Sequence, residues 1–166
     1  MIRRCMTGLL LMLTMVVSAQ GMRYTNVESR FRIDYPNGYV AREGVMGTTV
    51  FILKPNQTGF STNLNVIARR VPAGTSLSKE TAGLEKLLAD LITDFKLVSN
   101  QPSSLDGQPA VALLYTGRQG KYDLVWYQVI AIRSNISYVI SFTAAAATYE
   151  RDRVPLGNIL GSFKFL

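Results

Sequence analysis

The sequence contains no histidine and a single cysteine, Cys5. It also lacks an apolar run long enough to cross a bilayer as a helix. Its one strong run, Leu9 to Val17, falls far short of the ~20 residues that a span requires. Arg3 and Arg4 precede that run and Val17-Ser18-Ala19 ends it, so residues 1–19 read as a secretory signal peptide cleaved after Ala19, with small residues for the peptidase at Val17 and Ala19. An uncleaved anchor is the alternative, but nothing after Ala19 prolongs the apolar stretch. Cys5 lies ahead of the run, whereas a lipoprotein cysteine would follow it, and lipid attachment is not expected.

Cleavage removes the one cysteine, leaving residues 20–166 with neither thiol nor imidazole. Ser-His-Asp relays, Cys-His nucleophiles, zinc sites built on imidazole or thiolate, and thiol redox couples are excluded by inventory. The sequence therefore predicts no cofactor, no metal centre and no enzyme of the familiar kinds. Charge is also modest. With Arg3 and Arg4 gone, 18 Lys and Arg fall by two against 11 Asp and Glu, a mild basic excess that reads as a dispersed, solvated surface and not as a nucleic-acid footprint.

Past the signal no Pro-rich, Gly/Ser-rich or highly charged stretch divides the chain and no fixed-period repeat appears, so residues 20–166 read as a single domain. Tyr24–Glu28 and Phe31–Tyr35 read as strands, the second alternating Phe31, Ile33 and Tyr35 with Arg32 and Asp34, and Pro36-Asn37-Gly38 turns the chain. Thr48–Lys54 and Leu64–Val71 form a candidate hairpin. Helical period runs from Ser78 to Phe95 through Leu84, Leu88 and Leu91, with Leu87 and Ile92 beside them, Ser78 as cap and Gly83 as a close-packing point against a sheet. Ala110–Thr116, Leu124–Ile132 and Ile136–Thr143 read as an antiparallel meander, with turns at 117–120 and Ser134-Asn135. Its first two strands are apolar on both faces, which requires cover on both sides. The Ser78 helix supplies one cover. A closing helix from about Pro155, carrying Leu156, Ile159, Leu160 and Phe163, supplies the other.

The order of pieces resembles the PsbP-like fold family, which takes in the photosystem subunit PsbP and the periplasmic DcrB-like proteins. The resemblance rests on Phe31-Arg32-Ile33-Asp34-Tyr35-Pro36, Leu64-Asn65-Val66, Leu105-Asp106-Gly107-Gln108-Pro109-Ala110, Tyr138-Val139-Ile140-Ser141-Phe142 and Ile159-Leu160-Gly161-Ser162-Phe163-Lys164. It implies an α+β fold, a central antiparallel sheet covered by helices in an αβα sandwich. It implies little about activity, because members of such a fold serve unrelated roles. The photosystem branch is associated with manganese and calcium handling, for which this chain has no histidine.

The expectation is a monomeric, non-catalytic accessory or binding module, secreted or periplasmic, that offers a surface to an envelope protein. A small-ligand or lipid carrier, which needs a cavity, and a carboxylate-dependent hydrolase, which needs two acids across a cleft, are the alternatives. Arg118 and Lys121, at one turn end of the meander, are the candidate partner contact, with Arg133 at the other end. Asp106 and Gly107 are a structural turn needing positive φ at the glycine. Asp90 and Asp94, four apart on one helix face, read as solvated surface carboxylates, with a cation site as the alternative. Trp126 and Tyr127 alternate to opposite faces, so at least one is core; an aromatic platform of Trp126, Tyr127, Tyr122 and Tyr138 is the alternative. Asn56 and Asn135 open glycosylation sequons.

Overall fold

The computed structural model describes residues 21–56 and 58–166; residues 1–20, and with them the signal peptide, its cleavage after Ala19 and Cys5, lie outside the described residues. Ten strands and three α-helices follow in the order β1 (Met22–Asn26), β2 (Phe31–Tyr35), β3 (Val40–Arg42), β4 (Val50–Leu53), β5 (Asn63–Arg70), α1 (Leu77–Thr81), α2 (Leu84–Leu91), β6 (Thr93–Leu105), β7 (Gln108–Gln119), β8 (Tyr122–Arg133), β9 (Ile136–Ala145), α3 (Tyr149–Gly161) and β10 (Lys164–Phe165). The main sheet has seven strands in the order β3-β4-β5-β9-β8-β7-β6, and a smaller one has the order β1-β2-β10. The strand pairs are antiparallel. This is an α+β fold with a central antiparallel sheet, the class that the sequence leads one to expect.

Two apolar layers lie on the two faces of the main sheet. On one, Val66, Val129, Ile140 and Phe142 pack against the small sheet and α3 through Phe31, Ile33, Leu156 and Phe163. Phe31 stacks on Phe163 at 5.3 Å, and Tyr138 meets Phe165 edge-on at 5.0 Å; such aromatic pairs add ~0.5–1.5 kcal/mol each beyond the area they bury. On the other face Leu113, Tyr115, Leu124, Trp126 and Ile130 are covered by Leu84 and Leu88 of α2, Leu77 of α1 and Phe60. The central strands are apolar on both sides because both sides are buried.

The helix expected over Ser78–Phe95 is two short helices and the start of a strand. Ser76, not Ser78, caps α1, its Oγ accepting from the Lys79 N–H at 3.1 Å. Gly83 breaks the run at φ +74°, and a Cβ there would meet nothing within 4 Å. Its role is conformational, and close packing is not the reason for it. Leu87 and Leu91 face solvent, at 53% and 72% exposed. The chain leaves the helix at Ile92 and enters β6, whose paired edge crosses Gly117 so closely that a Cβ there would lie 2.3 Å from Ile92 Cγ2.

The closing helix begins at Tyr149, six residues before Pro155, which therefore sits inside it and not in its first turn. A proline there forgoes one helical N–H bond and crowds the carbonyl four residues before it, a cost of ~3 kcal/mol that burial of Leu156 and Ile159 offsets. The meander joins β8 to β9 through Ser134 and Asn135, both at positive φ, and β7 to β8 through Gly120 and Lys121, so β7 runs to Gln119, three residues beyond the expected Thr116 and into the expected turn.

Candidate functional site

At one end of the main sheet the chain leaves β4, loops through residues 54–62, and returns past the β7–β8 turn and the start of α3. These segments enclose a cleft of about 550 Å³ lined by Lys54, Asn56, Phe60, Tyr122, Arg151 and Asp152, among others. That volume lies within the usual range for small-molecule sites. Phe60 and Tyr122 meet edge-on at 5.6 Å and form its apolar side. Asp152, in the first turn of α3 and 7% exposed, is its deepest charge. Its carboxylate accepts from Thr62 Oγ1 at 2.7 Å, Thr148 Oγ1 at 2.8 Å and Arg151 Nε at 2.8 Å. Burial alone would raise its pKa. The hydrogen bonds from Arg151, Thr62 and Thr148 outweigh that and hold the carboxyl below its ordinary value.

Asp152 is thus a fixed, ionised structural acceptor that ties α3 to the loop before β5. Among the described residues lining the cleft it is the only carboxylate. The other carboxylate with a nearly buried side chain, Glu80, is 8% exposed and bonded to Arg69 and to Ser137 Oγ, and it lies outside this cleft. Sequence reading missed Asp152, because its partners Thr62 and Thr148 are distant in sequence or carry no motif.

Arg118 and Lys121 share this end of the sheet, as adjacent positions in the β7–β8 hairpin must. Arg118 is engaged: Nη2 lies 2.9 Å from Asp94 Oδ2. Lys121 holds its ammonium 5.3 Å from the ring centroid of Tyr122, a residue that lines the cleft. Arg133 sits at the opposite end, 4.9 Å over the Phe165 ring. The pair suggested at Asp90 and Asp94 does not share a helix face. Asp90 is bonded to Lys86 at 3.0 Å on α2, and Asp94 lies in β6 at φ +55° beside Arg118. Among the described residues no group of three or more acidic, cysteine or histidine side chains is placed to hold a metal ion.

Nor is the aromatic platform assembled. Trp126 is 8% exposed and stacks on Tyr115 at 5.4 Å beneath α1 and α2; Tyr127 points to the other face, and Tyr138 is buried there with its hydroxyl donating to Ser29 O at 2.8 Å.

Asp106 and Gly107 lie at φ +45° and +79° in a two-residue turn between β6 and β7. Asp106 does more than turn the chain. Its carboxylate accepts from Lys164 Nζ at 2.7 Å and from the Phe165 N–H at 3.0 Å, and the Lys164 bond above all holds its pKa down. This clasp joins the meander to β10 and has no sequence signal, since its partners are at the other end of the chain. Asp34 is held below its ordinary pKa in the same way by Arg23.

The sequence matches the family model for DcrB over residues 43–162. No curated protein matches it. Among solved structures it is similar to cyanobacterial PsbP (CyanoP) from Synechocystis, with TM-score 0.68 at 17% identity over 93% of this chain and 97% of that one. It is also similar to LpqN of Mycobacterium tuberculosis, a protein involved in cell envelope biogenesis, with TM-score 0.62 at 11% identity over 89% and 86% of the two chains. PA94 from Pseudomonas aeruginosa aligns with TM-score 0.60 at 14% identity over 86% and 94%. At such identities the structures speak for the fold alone. The family model covers most of the chain, and on that ground the protein belongs to the DcrB family, built on a PsbP-like fold.

Proposed function

We propose that this chain is a non-catalytic accessory module of the cell envelope, exported by its N-terminal signal and acting as one domain, residues 20–166, through a surface it offers to a partner. The observation that carries this reading is the state of Asp152. A glycosidase-type hydrolase needs two carboxylates facing across the cleft, one of them with a raised pKa. Among the described residues the cleft holds one, and its hydrogen bonds push its pKa down. The inventory supplies no histidine in its place. Membership of the DcrB family and the envelope role of LpqN support the compartment, as does the signal-like sequence of residues 1–19. No helix among the described residues is long and apolar enough to cross a membrane.

The surface lies at the β7–β8 turn. Arg118 is paired with Asp94, whereas Lys121 has no carboxylate partner among the described residues; Lys54 and the Asp152-paired Arg151 line the adjoining cleft. The experiment is a comparison of two variants in cells lacking the native protein. Asp152→Asn, which removes the one acid among the described residues of the cleft, retains the phenotype and the crosslinked partner. Lys121→Glu loses the crosslink while the purified protein keeps its melting temperature, and the loss is larger at low salt. An Asp152→Asn protein that folds but has no function, beside an active Lys121→Glu protein, overturns the reading in favour of a carboxylate enzyme.

A further inference from the structure

We propose that the Asp152 cleft binds a small aryl carboxylate, its anionic end held by Lys54 and Arg151 and its ring by Phe60 and Tyr122. A continuous set of contacts assembles the polar half of the cleft. Lys54 extends the β4–β5 ladder by one pair beyond Leu53 and Asn63, its N–H donating to the Thr62 carbonyl at 3.1 Å. Residues paired in this way send their side chains to one face with Cβ atoms ~5 Å apart, so the Lys54 side chain leaves the ladder beside that of Thr62. Thr62 Oγ1 in turn donates to Asp152 Oδ2 at 2.7 Å, and Arg151 binds the same carboxylate through Nε at 2.8 Å and Nη2 at 3.3 Å. Both cations of the lining thus neighbour the Thr62–Asp152 pair.

The carboxylate itself has little left to offer a ligand, because both of its oxygens already accept hydrogen bonds. Its effect is to position Arg151. A guanidinium carries five N–H groups, and Asp152 takes one from Nε and one from Nη2. Three remain on Nη1 and Nη2, along the edge that matches the two oxygens of a second carboxylate. The Arg151 side chain is 75% exposed, which leaves that edge open, and its pairing with Asp152 has already restricted the rotamer freedom that binding would otherwise remove. Lys54 has no carboxylate at ion-pair distance among the described residues. Two cations against one occupied acid favour an anion in the cleft. The apolar side calls for a ring. Phe60 and Tyr122 are each only partly buried and meet edge-on, a corner in which a third ring stacks on one while turning its edge to the other. This ligand goes beyond the accessory role, which acts through the neighbouring Lys121.

The test is an NMR titration of the isotope-labelled protein with 3-phenylpropionate, reading the backbone amides of Lys54, Phe60, Tyr122 and Arg151. Saturable shifts at these positions are expected. 3-Phenylpropanol and 3-phenylpropylamine, which keep the ring and lack the anion, should bind at least tenfold more weakly, and 3-cyclohexylpropionate, which keeps the anion and lacks the aromatic ring, at least threefold. Lys54→Gln and Arg151→Gln should each weaken 3-phenylpropionate at least fivefold. Lys54 is exposed, so its variant keeps the native melting temperature and decides the matter should Arg151→Gln loosen α3. No saturable shift with 3-phenylpropionate, equal affinity for the alcohol or for the cyclohexyl acid, or unchanged affinity in Lys54→Gln overturns the proposal. The titration reads this site and the crosslink of Lys121→Glu reads the accessory role, so the two fail separately.

Discussion

Asp106 and Gly107 occupy one turn but respond to substitution by different physics. Gly107 has open space where a Cβ would stand, so Gly107→Val suffers only from its φ of +79°, a backbone strain of ~1–3 kcal/mol. Asp106→Asn keeps a residue that tolerates positive φ and keeps an acceptor for the Phe165 N–H, losing only the charge opposite Lys164. With the lysine side chain 48% exposed, that pair is worth at most ~1 kcal/mol. Asp106→Ala loses acceptor, charge and conformational tolerance together. Urea melts should therefore rank Asp106→Asn mildest and both Gly107→Val and Asp106→Ala clearly worse. An Asp106→Asn protein as unstable as Asp106→Ala would mean that the clasp to β10 depends on charge and not on the shape of the acceptor.

At the scale of elements, the α1–α2 break and the entry into β6 set two glycines in contrast. Gly83 is needed for its φ and has room; Gly117 has ordinary φ and no room, because Ile92 Cγ2 and the Thr93 carbonyl press on it. Gly83→Asn should then cost less than Gly83→Ala, although asparagine is larger, since asparagine tolerates the left-handed region. Gly117→Ala should cost more than either, by ~1–3 kcal/mol of overpacking, and thermal melts of the three proteins would show the order. A Gly83→Asn protein less stable than Gly83→Ala would restore packing as the reason for that glycine. The same segment shows where the sequence was legible. β2, β5 and the β7–β9 meander could be read because alternation or a two-sided apolar run marks strands buried in a sheet, and the resemblance to PsbP-like proteins added their order. The β6 edge strand could not. Its Phe95 continues the helical spacing of Leu84, Leu88 and Leu91, while Ser99 to Ser104 carry almost no apolar residue, since an edge strand with one solvated side needs none. The candidate sites fared less evenly. Turn chemistry marks Asp106-Gly107, and hairpin geometry places Arg118 beside Lys121. Asp152 and Glu80 owe their environments to contacts between residues far apart in the chain, which no local pattern records.

For the whole molecule, the missing histidine and the environments of the remaining acids determine the response to pH. Asp34, Asp106 and Asp152 all have pKa values lowered in the folded state, the first two chiefly by the bonds from Arg23 and Lys164, and Asp152 by bonds that overcome its burial. A lowered folded pKa means that the unfolded chain binds more protons between the two values. The stability these groups contribute is complete above the unfolded carboxyl value of about 4 and is lost as pH falls through the folded values. At the alkaline side the sign reverses. Burial raises Tyr24 to about 12 and pushes Tyr115, Tyr39, Tyr138 and Tyr149 upward too, so these phenols favour the folded state fully below about pH 10 and cease to do so as pH rises through their folded values. Between about pH 5 and 9 no side chain with a cited shift titrates, and with no histidine in the sequence the melting temperature should be flat there, with a fall on either side. Asp152→Asn should flatten the acid limb more than Asp34→Asn, because the Asp34 side chain is 42% exposed and water screens its pair with Arg23, whereas Asp152 is nearly buried. Melts of the native protein and both variants from about pH 2 to 11 measure this directly. A step in stability between about pH 6 and 7, or an acid limb unchanged in Asp152→Asn, would show that the cleft carboxylate is not the ionised anchor of α3 that its hydrogen bonds describe.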